Sequence, residues 1–268
     1  MDLQGKVVAV TGGGDGIGRQ LVLELLRRGA GVAAIDLREE SLSETAELAG
    51  AGDRLVSFAA DVTDRERVAG LPTEIEVSLG PVDVLIHNAG IIQPFVKLNG
   101  LDYEAIQRVI DVNLYGTIYV VKEFLPMLLS RPEAHVATVS SMGGFLPVPG
   151  QTIYGATKAG VKLLTEGLFA ELHGTRVGVS VIMPGAVMTD ITANSGVSTP
   201  SVEGNGTYRG TSPEEAARII LDGIEAGRLH IFVGRDSRTM NLFSRLAPRR
   251  STLLIQRQME GLLATDPT

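Results

Sequence analysis

Short apolar runs alternate with longer amphipathic segments along most of the chain. The runs are rich in Val, Ile and Ala at successive positions, which is typical of strands covered on both faces. Strands are predicted at 6–10, 31–35, 55–58, 82–86, 135–139, 178–183 and 230–233. Apolar residues recur with helical spacing at 17–28, 39–49, 64–79, 102–129, 153–173 and 213–226.

This alternation predicts a parallel sheet with helices on both faces, because each strand–helix–strand crossover must traverse the sheet. No linker divides the chain, so we predict one doubly wound α/β domain of about seven strands over residues 1–235. Residues 189–212 are rich in Thr, Ser, Gly and Asn. A connection of that length is predicted to be a lid over a site. Residues 236–268 are predicted to form a C-terminal helical tail.

The composition and net charge of the chain argue against several classes of function. The chain has 268 residues and a net charge of −7, and an acidic surface repels the phosphates of nucleic acid. It has no cysteine, which excludes disulfides, thiolate catalysis and sulfur-ligated metals. The histidines are single and lack the spacing of metal ligands, so no metal is expected; they are His87, His135, His173 and His230.

The chain shows no membrane span and no apolar signal core near Met1, so we expect a cytoplasmic protein. The tail from Arg235 carries six arginines against three acids, with Ile255, Met259, Leu262 and Leu263 at helical spacing. We expect an amphipathic helix that packs on a neighbouring subunit or over the substrate cleft. Peripheral attachment to an anionic membrane is the alternative, and we expect no binding to anionic liposomes.

The first strand leads into a glycine-rich turn and then a helix. Residues 11–18 read Thr-Gly-Gly-Gly-Asp-Gly-Ile-Gly. Glycines allow the backbone to approach a pyrophosphate, whose negative charge is favoured at a helix N-terminus. Asp36 ends the second strand, 18 residues beyond Gly18, and an acid there can accept hydrogen bonds from both adenosine-ribose hydroxyls. This Rossmann-type arrangement predicts a bound dinucleotide.

Asp36 also predicts NAD rather than NADP. A 2′-phosphate beside this carboxylate would be repelled unless a cation intervened. Asp15 in the turn and Leu37 after the acid supply none, and Arg38 is the one nearby base.

Tyr154 and Lys158 are four residues apart in a helical pattern and therefore share one face. A nearby ammonium favours the phenolate, and lowering a phenol pKa by about three units requires roughly 4 kcal/mol. Taken alone, a Tyr and a Lys at this spacing are more often a solvent-exposed pair than a catalytic one. The residues predicted to lie near them favour the catalytic interpretation.

Small and polar residues follow the predicted strands: Asp61-Val62, Asn88-Ala89-Gly90, Ser140-Ser141 and Pro184-Gly185. The carboxyl ends of parallel strands share one edge of the sheet, which is where ligands bind in open α/β folds. The sequence therefore predicts a site at this edge.

Together these motifs resemble the short-chain dehydrogenase/reductase family over about residues 3–235. The matching pieces are Thr11-Gly-x-x-x-Gly-x-Gly18, Asp61-Val62, Asn88-Ala89-Gly90, Asn113, Ser141, Tyr154-Gly-Ala-Thr-Lys158 and Pro184-Gly185-x-Val187-x-Thr189. His87 stands where many members carry Asn, and we expect it to affect packing only.

The resemblance implies a catalytic set of Asn113, Ser141, Tyr154 and Lys158. Tyr154 would exchange the substrate proton, Ser141 would hydrogen-bond the substrate oxygen, and Lys158 would lower the Tyr154 pKa and hold the nicotinamide ribose. Ser141 is chosen over Ser140 because it lies 13 residues before Tyr154, the family's usual spacing. Asn113 would hold a water that links Lys158 to solvent.

The resemblance also implies the cofactor contacts. Thr189 would meet the nicotinamide carboxamide, and Asn88 the adjacent ribose. The full set is Gly12, Asp15, Gly16, Ile17, Gly18, Asp36, Asp61, Val62, Asn88, Ala89, Gly90, Tyr154, Lys158, Pro184, Gly185, Val187 and Thr189. Segments 102–129 and 153–173 resemble the helices by which members pair, so a homodimer or homotetramer is expected.

We therefore expect hydride transfer between NAD(H) and a secondary alcohol or ketone. Segments 91–95 and 143–149 carry no charge, which favours a lipophilic small-molecule substrate unless they merely pack. An NAD-dependent epimerase or dehydratase is one alternative, but those usually have Thr-Gly-x-x-Gly-x-x-Gly and a longer C-terminal domain. A non-catalytic NAD-sensing protein is the other, and it would be expected to lack part of the catalytic set.

Overall fold

Seven parallel strands form one sheet in the part of the chain that the structure describes. The structure is a computed structural model, and it describes residues 1–189, 191–197 and 210–259. The strand order is β3-β2-β1-β4-β5-β6-β7. The strands are β1 (Val7–Thr11), β2 (Gly31–Asp36), β3 (Leu55–Ala59), β4 (Val84–His87), β5 (Ala134–Val139), β6 (Val177–Pro184) and β7 (His230–Val233).

Helices connect the strands and follow the last one. They are α1 (Gly16–Arg27), α2 (Glu39–Ala49), α3 (Arg65–Leu79), α4 (Tyr103–Ile110), α5 (Gly116–Ser130), α6 (Thr152–Glu171), α7 (Ile191–Asn194), α8 (Pro213–Glu225), α9 (Arg235–Leu246) and α10 (Pro248–Met259). Side chains fix several of their starts. Asp64 accepts from the Arg67 amide at 3.0 Å before α3, and Ser212 from the Glu215 amide at 3.2 Å before α8.

Each face of the sheet buries its own apolar layer. On one face, β1, β4 and β6 pack against α1, α2 and α8, with Leu21, Leu42 and Ile220 fully or almost fully buried. On the other face, α3, α5 and α6 contribute residues such as Leu71 and Phe124. Strands β4 and β5 are buried at every position, which explains their continuous apolar character. The predicted doubly wound, Rossmann-type α/β fold is confirmed.

The predicted helical segment over 102–129 is helical in the structure, but it contains a wider turn. The chain forms α4, a π-helical turn at Asp111–Tyr115, and then α5 without a break. The wider turn contains Asn113, whose backbone carbonyl accepts from the Thr117 hydroxyl at 2.6 Å. Apolar periodicity cannot reveal such a turn, because one inserted residue barely alters the pattern.

Strand β4 also begins later than the predicted 82–86. The carboxylate of Asp83 accepts from the Val7 amide at 3.0 Å and from Arg131 Nε at 2.8 Å. The Asp83 side chain, and not a backbone carbonyl, therefore accepts from the Val7 amide of β1. The pairing of β1 with β4 starts at Val84.

The chain reverses its winding between β3 and β4. After β3, at one edge of the sheet, it returns to place β4 beside β1, and this switch point opens a cleft at the carboxyl ends of the strands. The predicted lid at 189–212 falls largely on residues 190 and 198–209, outside the described residues. Of the predicted tail, Leu262 and Leu263 also lie outside them. No described helix is long and apolar enough to span a membrane.

Candidate active site

The glycine turn after β1 is packed too closely for side chains. Gly12 has φ +69°, and a Cβ on it would lie 2.7 Å from Asn88 Nδ2 and 3.1 Å from the Ala89 backbone. A Cβ on Gly18 would overlap the Gly12 carbonyl, so this residue lets α1 pack against the turn. Asp15 precedes α1, and its carboxylate accepts from the Gly16 amide at 2.6 Å. The glycines thus keep side-chain bulk away from this helix N-terminus, where a phosphate can approach the backbone.

A cavity of about 740 Å³ runs along the carboxyl ends of β1, β2 and β4. Most of the predicted cofactor residues line it: Gly12, Asp15, Gly16, Ile17, Asp36, Asp61, Val62, Asn88, Ala89, Gly90 and Thr189. Its volume and its glycine-lined floor fit a dinucleotide.

The other predicted cofactor residues lie behind or beside the cavity. Gly18 packs under the turn, Pro184 ends β6, and Val187 forms a parallel bridge with Thr211. Gly185 packs against Asp236, which leaves no room for a Cβ.

Asp36 ends β2 with its carboxylate held by backbone amides. Oδ2 accepts from the Gly14 amide at 3.0 Å, and Oδ1 accepts from the Arg38 amide at 3.2 Å. The Arg38 guanidinium lies 3.3 Å from the Asp15 carboxylate. Arg38 therefore pairs with the acid of the glycine turn. A second base, Arg19, donates to the Gly14 carbonyl at 2.6 Å and pairs with Glu44 at 2.7 Å.

Thr11 organises the Asn88-Ala89-Gly90 turn. Its Oγ1 accepts from the amides of Asn88 and Ala89 at 3.0 and 3.1 Å, and is 3.0 Å from His87 Nδ1. His87 is buried, and this burial lowers its pKa to about 3. A neutral imidazole joining two strands agrees with the packing role expected for it.

The two adjacent serines after β5 have different partners. The buried Ser140 hydroxyl donates to the Lys158 carbonyl at 2.7 Å, so it fastens β5 to α6. Ser141 Oγ accepts from the Gly143 amide at 3.0 Å, and it is the serine whose hydroxyl acts to lower the Tyr154 pKa. The geometry therefore brings Ser141, and not Ser140, to the phenol.

Lys158 and Asn113 meet at Gly90. A Cβ on Gly90 would lie 2.9 Å from Lys158 Nζ and 3.1 Å from Asn113 Oδ1. Lys158 donates to the Val139 carbonyl at 3.0 Å. Asn113 is fully buried, and its amide exchanges two hydrogen bonds of 2.9 Å with the backbone of Ile91.

Burial is the main cause of the pKa shifts of Tyr154 and Lys158. It raises the pKa of Tyr154, and the Ser141 hydrogen bond only partly opposes this rise. It lowers the pKa of Lys158 to about 8. The expected lowering of the Tyr154 pKa by Lys158 is therefore not the dominant effect in the protein alone. The ammonium lies 6.0 Å from the centre of the Tyr154 ring, so desolvation outweighs its attraction for a phenolate.

Gln93 is a supporting residue that the sequence did not reveal. It lies in a segment expected to line the substrate pocket, yet it is fully buried. Its Oε1 accepts from the amides of Ile153 and Tyr154 at 2.8 and 3.0 Å, and its Nε2 donates to the Gly150 carbonyl at 2.9 Å. It caps the first turn of α6 and so positions Tyr154. Leu146, in the other wall segment, is also fully buried.

Asp236 is a second supporting residue. Although it belongs to α9, its Oδ2 accepts from the Ala186 amide at 2.9 Å. The neighbouring Ser237 donates to the Met183 carbonyl at 2.7 Å. The start of α9 thus holds the segment that leads to Thr189. No sequence motif signals this contact, because the partners are 50 residues apart.

The described part of the predicted lid bridges the cleft. Asn194 Nδ2 donates to the Asp15 carboxylate at 2.9 Å. On the opposite side, Ser195 Oγ accepts from the Ile92 amide at 3.0 Å. Residues 191–197 therefore connect the glycine turn with the segment after β4. Among the described residues, no cluster of His, Cys, Asp or Glu could hold a metal.

The family assignment follows from sequence comparison. A family model described as short chain dehydrogenase matches residues 6–198. A putative oxidoreductase SadH of Mycobacterium tuberculosis is 32% identical over 254 residues, which cover 91% of each protein. A 1-deoxy-11-beta-hydroxypentalenate dehydrogenase of Streptomyces exfoliatus is 33% identical over 89% of this chain and 86% of its own. The chain belongs to the short-chain dehydrogenase/reductase family and is an oxidoreductase.

Solved structures agree on the fold. A Burkholderia phymatum short-chain dehydrogenase/reductase in complex with NAD has a TM-score of 0.81 at 24% identity, over 100% of this chain and 99% of that one. A Burkholderia cenocepacia short-chain dehydrogenase in complex with NADP has a TM-score of 0.80 at 28% identity, over 95% and 99%. Structural neighbours thus bind either dinucleotide.

Proposed function

We propose that this protein transfers a hydride between NAD(H) and a lipophilic secondary alcohol or ketone, with Tyr154 as the general acid and base. The convergence of Tyr154, Ser141 and Lys158 beside a dinucleotide-sized cavity carries this proposal. Gly90 lines that cavity, and a Cβ on it would lie 2.9 Å from the Lys158 amine, so the proton-handling groups border the place where a nicotinamide would lie.

The nicotinamide, when bound, accepts or returns the hydride. Tyr154 takes the hydroxyl proton of the alcohol during oxidation and protonates the carbonyl oxygen during reduction. Ser141 donates a hydrogen bond to that oxygen as its negative charge grows. The raised pKa of Tyr154 keeps the phenol protonated at neutral pH, which suits the reduction.

Lys158 and Asn113 support the proton transfer in this proposal. With a pKa of about 8, Lys158 is largely protonated at pH 7 and can hold ribose hydroxyls and stabilise a phenolate. Asn113 would hold a water linking the amine to solvent. Its two bonds to Ile91 keep its carbonyl oxygen near Lys158.

The choice of NAD is also proposed, on the position of Asp36. Its carboxylate lines the cavity and is held in place by the Gly14 amide. A 2′-phosphate at this position would face it, and Arg38 is already paired with Asp15. The remaining cofactor contacts proposed from the sequence are those that line the cavity, together with Tyr154 and Lys158.

A lipophilic substrate is favoured by the half-buried residues of the two expected wall segments. Ile91, Phe95 and Phe145 are apolar, and the Phe145 ring packs edge-on to Phe232 with ring centres 6.5 Å apart. The similar Streptomyces protein is named as a 1-deoxy-11-beta-hydroxypentalenate dehydrogenase, which supports that hydroxylated compound as one substrate to test.

The proposal extends to the assembly. Leu163 and Phe169 of α6 and Tyr115 beside α5 are exposed apolar residues, which supports the expected homodimer or homotetramer through these helices. A catalytic unit over 1–235 with a separate helical tail, and a cytoplasmic location, remain part of this proposal.

A screen of secondary alcohols with NAD and of ketones with NADH tests the function. Absorbance of the reduced nicotinamide should change with turnover. Formation of a product without a net change in that absorbance would instead indicate an epimerase or dehydratase. Dinucleotide binding without conversion of any substrate in a broad panel would favour a sensing protein.

A further inference from the structure

The two helices that follow the sheet expose large apolar side chains. Leu242 and Leu246 of α9 are 61% and 75% exposed, and Leu253 and Leu254 of α10 are 45% and 40% exposed. The inward faces of both helices use smaller or fewer apolar groups, with Ser237, Asn241, Ser251 and Ile255 buried. The leucines therefore contribute little to the fold of this chain.

The same helices carry an unbalanced positive charge. Six arginines lie between residues 235 and 259, and all are exposed: Arg235, Arg238, Arg245, Arg249, Arg250 and Arg257. Asp236 is the one acid in this stretch, and its carboxylate turns inward to the Ala186 amide. None of the six forms an ion pair with another residue in the described ranges. The whole chain, by contrast, has a net charge of −7.

Arginine and leucine share the outward faces. In α9, Arg238, Leu242 and Arg245 follow one another at spacings of four and three residues. In α10, Arg249, Leu253 and Arg257 are spaced four apart. Residues at these spacings stack on one side of a helix. Exposed leucines beside unpaired arginines supply the two contributions, buried apolar area and positive charge, that strengthen binding to an anionic membrane interface.

We propose that the outward face of α9 and α10, defined by these arginines and leucines, docks on an anionic lipid surface. The charge is complementary to acidic lipid headgroups, and the leucines can enter the boundary beneath them. In a twofold contact with a second copy, the same arginines would meet each other and repel. This proposal departs from the expectation, drawn from the sequence, that this tail does not bind anionic liposomes.

Docking would place the catalytic edge close to the lipid. Helix α9 packs against β7 and against the turn Met142–Gly144, which directly follows Ser141. A membrane-docked protein would therefore hold its substrate side near dissolved lipophilic compounds. This last consequence rests on the proposed substrate class, whereas the docking itself does not.

Flotation with vesicles tests the docking without any substrate. Purified protein is mixed with vesicles of phosphatidylcholine alone or of phosphatidylcholine with an equal part of phosphatidylglycerol. We expect binding to the anionic vesicles at low salt, and loss of binding as salt is added. The Arg249→Glu/Arg250→Glu and Leu253→Ser/Leu254→Ser variants should each weaken binding by roughly tenfold or more.

Matched changes elsewhere are the controls. Arg65→Glu on α3 and Leu48→Ser on α2 alter exposed residues outside this face and should leave vesicle binding intact. Light scattering during gel filtration reports the oligomeric mass of every variant. Two results would overturn the proposal: no binding at low salt, or equal binding to neutral vesicles. If no vesicles bind and the variants change the oligomeric mass, this face is assigned to contact between subunits.

Discussion

At the scale of single residues, the carboxylate of Asp36 determines whether a 2′-phosphate can bind at the end of β2. It is fixed by two backbone amides, so it cannot easily turn away from an incoming phosphate. We predict at least a ~100-fold preference in kcat/KM for NAD over NADP, equivalent to about 2.7 kcal/mol. Asp36→Ala should largely abolish that preference, as measured with one substrate and both dinucleotides.

Asp53→Ala provides the control for this change. Asp53 is an exposed acid before β3, and its removal alters the net charge by the same amount. It should leave the cofactor preference unchanged. A wild-type enzyme that favours NADP would contradict the NAD assignment.

At the scale of elements, the start of α9 holds the loop between β6 and Thr189. Asp236→Ala removes the acceptor of the Ala186 amide, and a lost hydrogen bond to a part-buried donor costs about 1–3 kcal/mol. The loop should then be less ordered. We predict that kcat falls about tenfold or more and that KM for the dinucleotide rises, while the pH profile set by Tyr154 is unchanged.

The Asp236→Asn variant distinguishes a role in positioning the loop from a general loss of folding. Its amide oxygen can still accept from Ala186, so this variant should recover much of the activity. Melting temperatures of both variants identify any loss of folding. If Asp236→Ala kept wild-type kcat and KM, the loop would be positioned by its other contacts, such as the Gly185 amide to the Val233 carbonyl.

Elements differ in how far the sequence predicts them. Strand and helix positions follow from apolar periodicity, and the outer bounds of each predicted segment differ from the observed ones by at most two residues. The edge that carries the site follows from motifs at strand ends. Gln93 and Asp236 could not be found this way, because each acts through backbone amides of a distant segment. The protonation balance of Tyr154 was also missed, since burial cannot be estimated from spacing alone.

At the scale of the whole molecule, two buried histidines link folding to pH. Burial lowers the pKa of His87 to about 3 and that of His135 to about 4, from an ordinary value of 6.5. Below pH 6.5 the unfolded chain takes up protons that the folded protein does not. The free energy of unfolding should therefore fall as the pH drops, by up to about 1.4 kcal/mol per pH unit for each histidine.

Urea unfolding between pH 7 and pH 5 measures this dependence. His87→Asn and His135→Asn remove the titrating group, so each should reduce the slope of stability against pH, whatever it does to stability at pH 7. His173→Asn is the matched control because His173 is exposed, and its slope should equal that of the wild type. Unchanged slopes in the first two variants would show that other groups govern acid unfolding.

The central claim, that Tyr154 exchanges the substrate proton, is tested most directly by turnover of Tyr154→Phe. The ring and its packing remain, so dinucleotide affinity measured by titration should be largely kept. Turnover should fall by roughly 10²–10⁴-fold, the usual contribution of a positioned acid or base. Lys158→Ala should impair both turnover and dinucleotide binding, because the amine serves both. A Tyr154→Phe enzyme with near-wild-type turnover would contradict the mechanism.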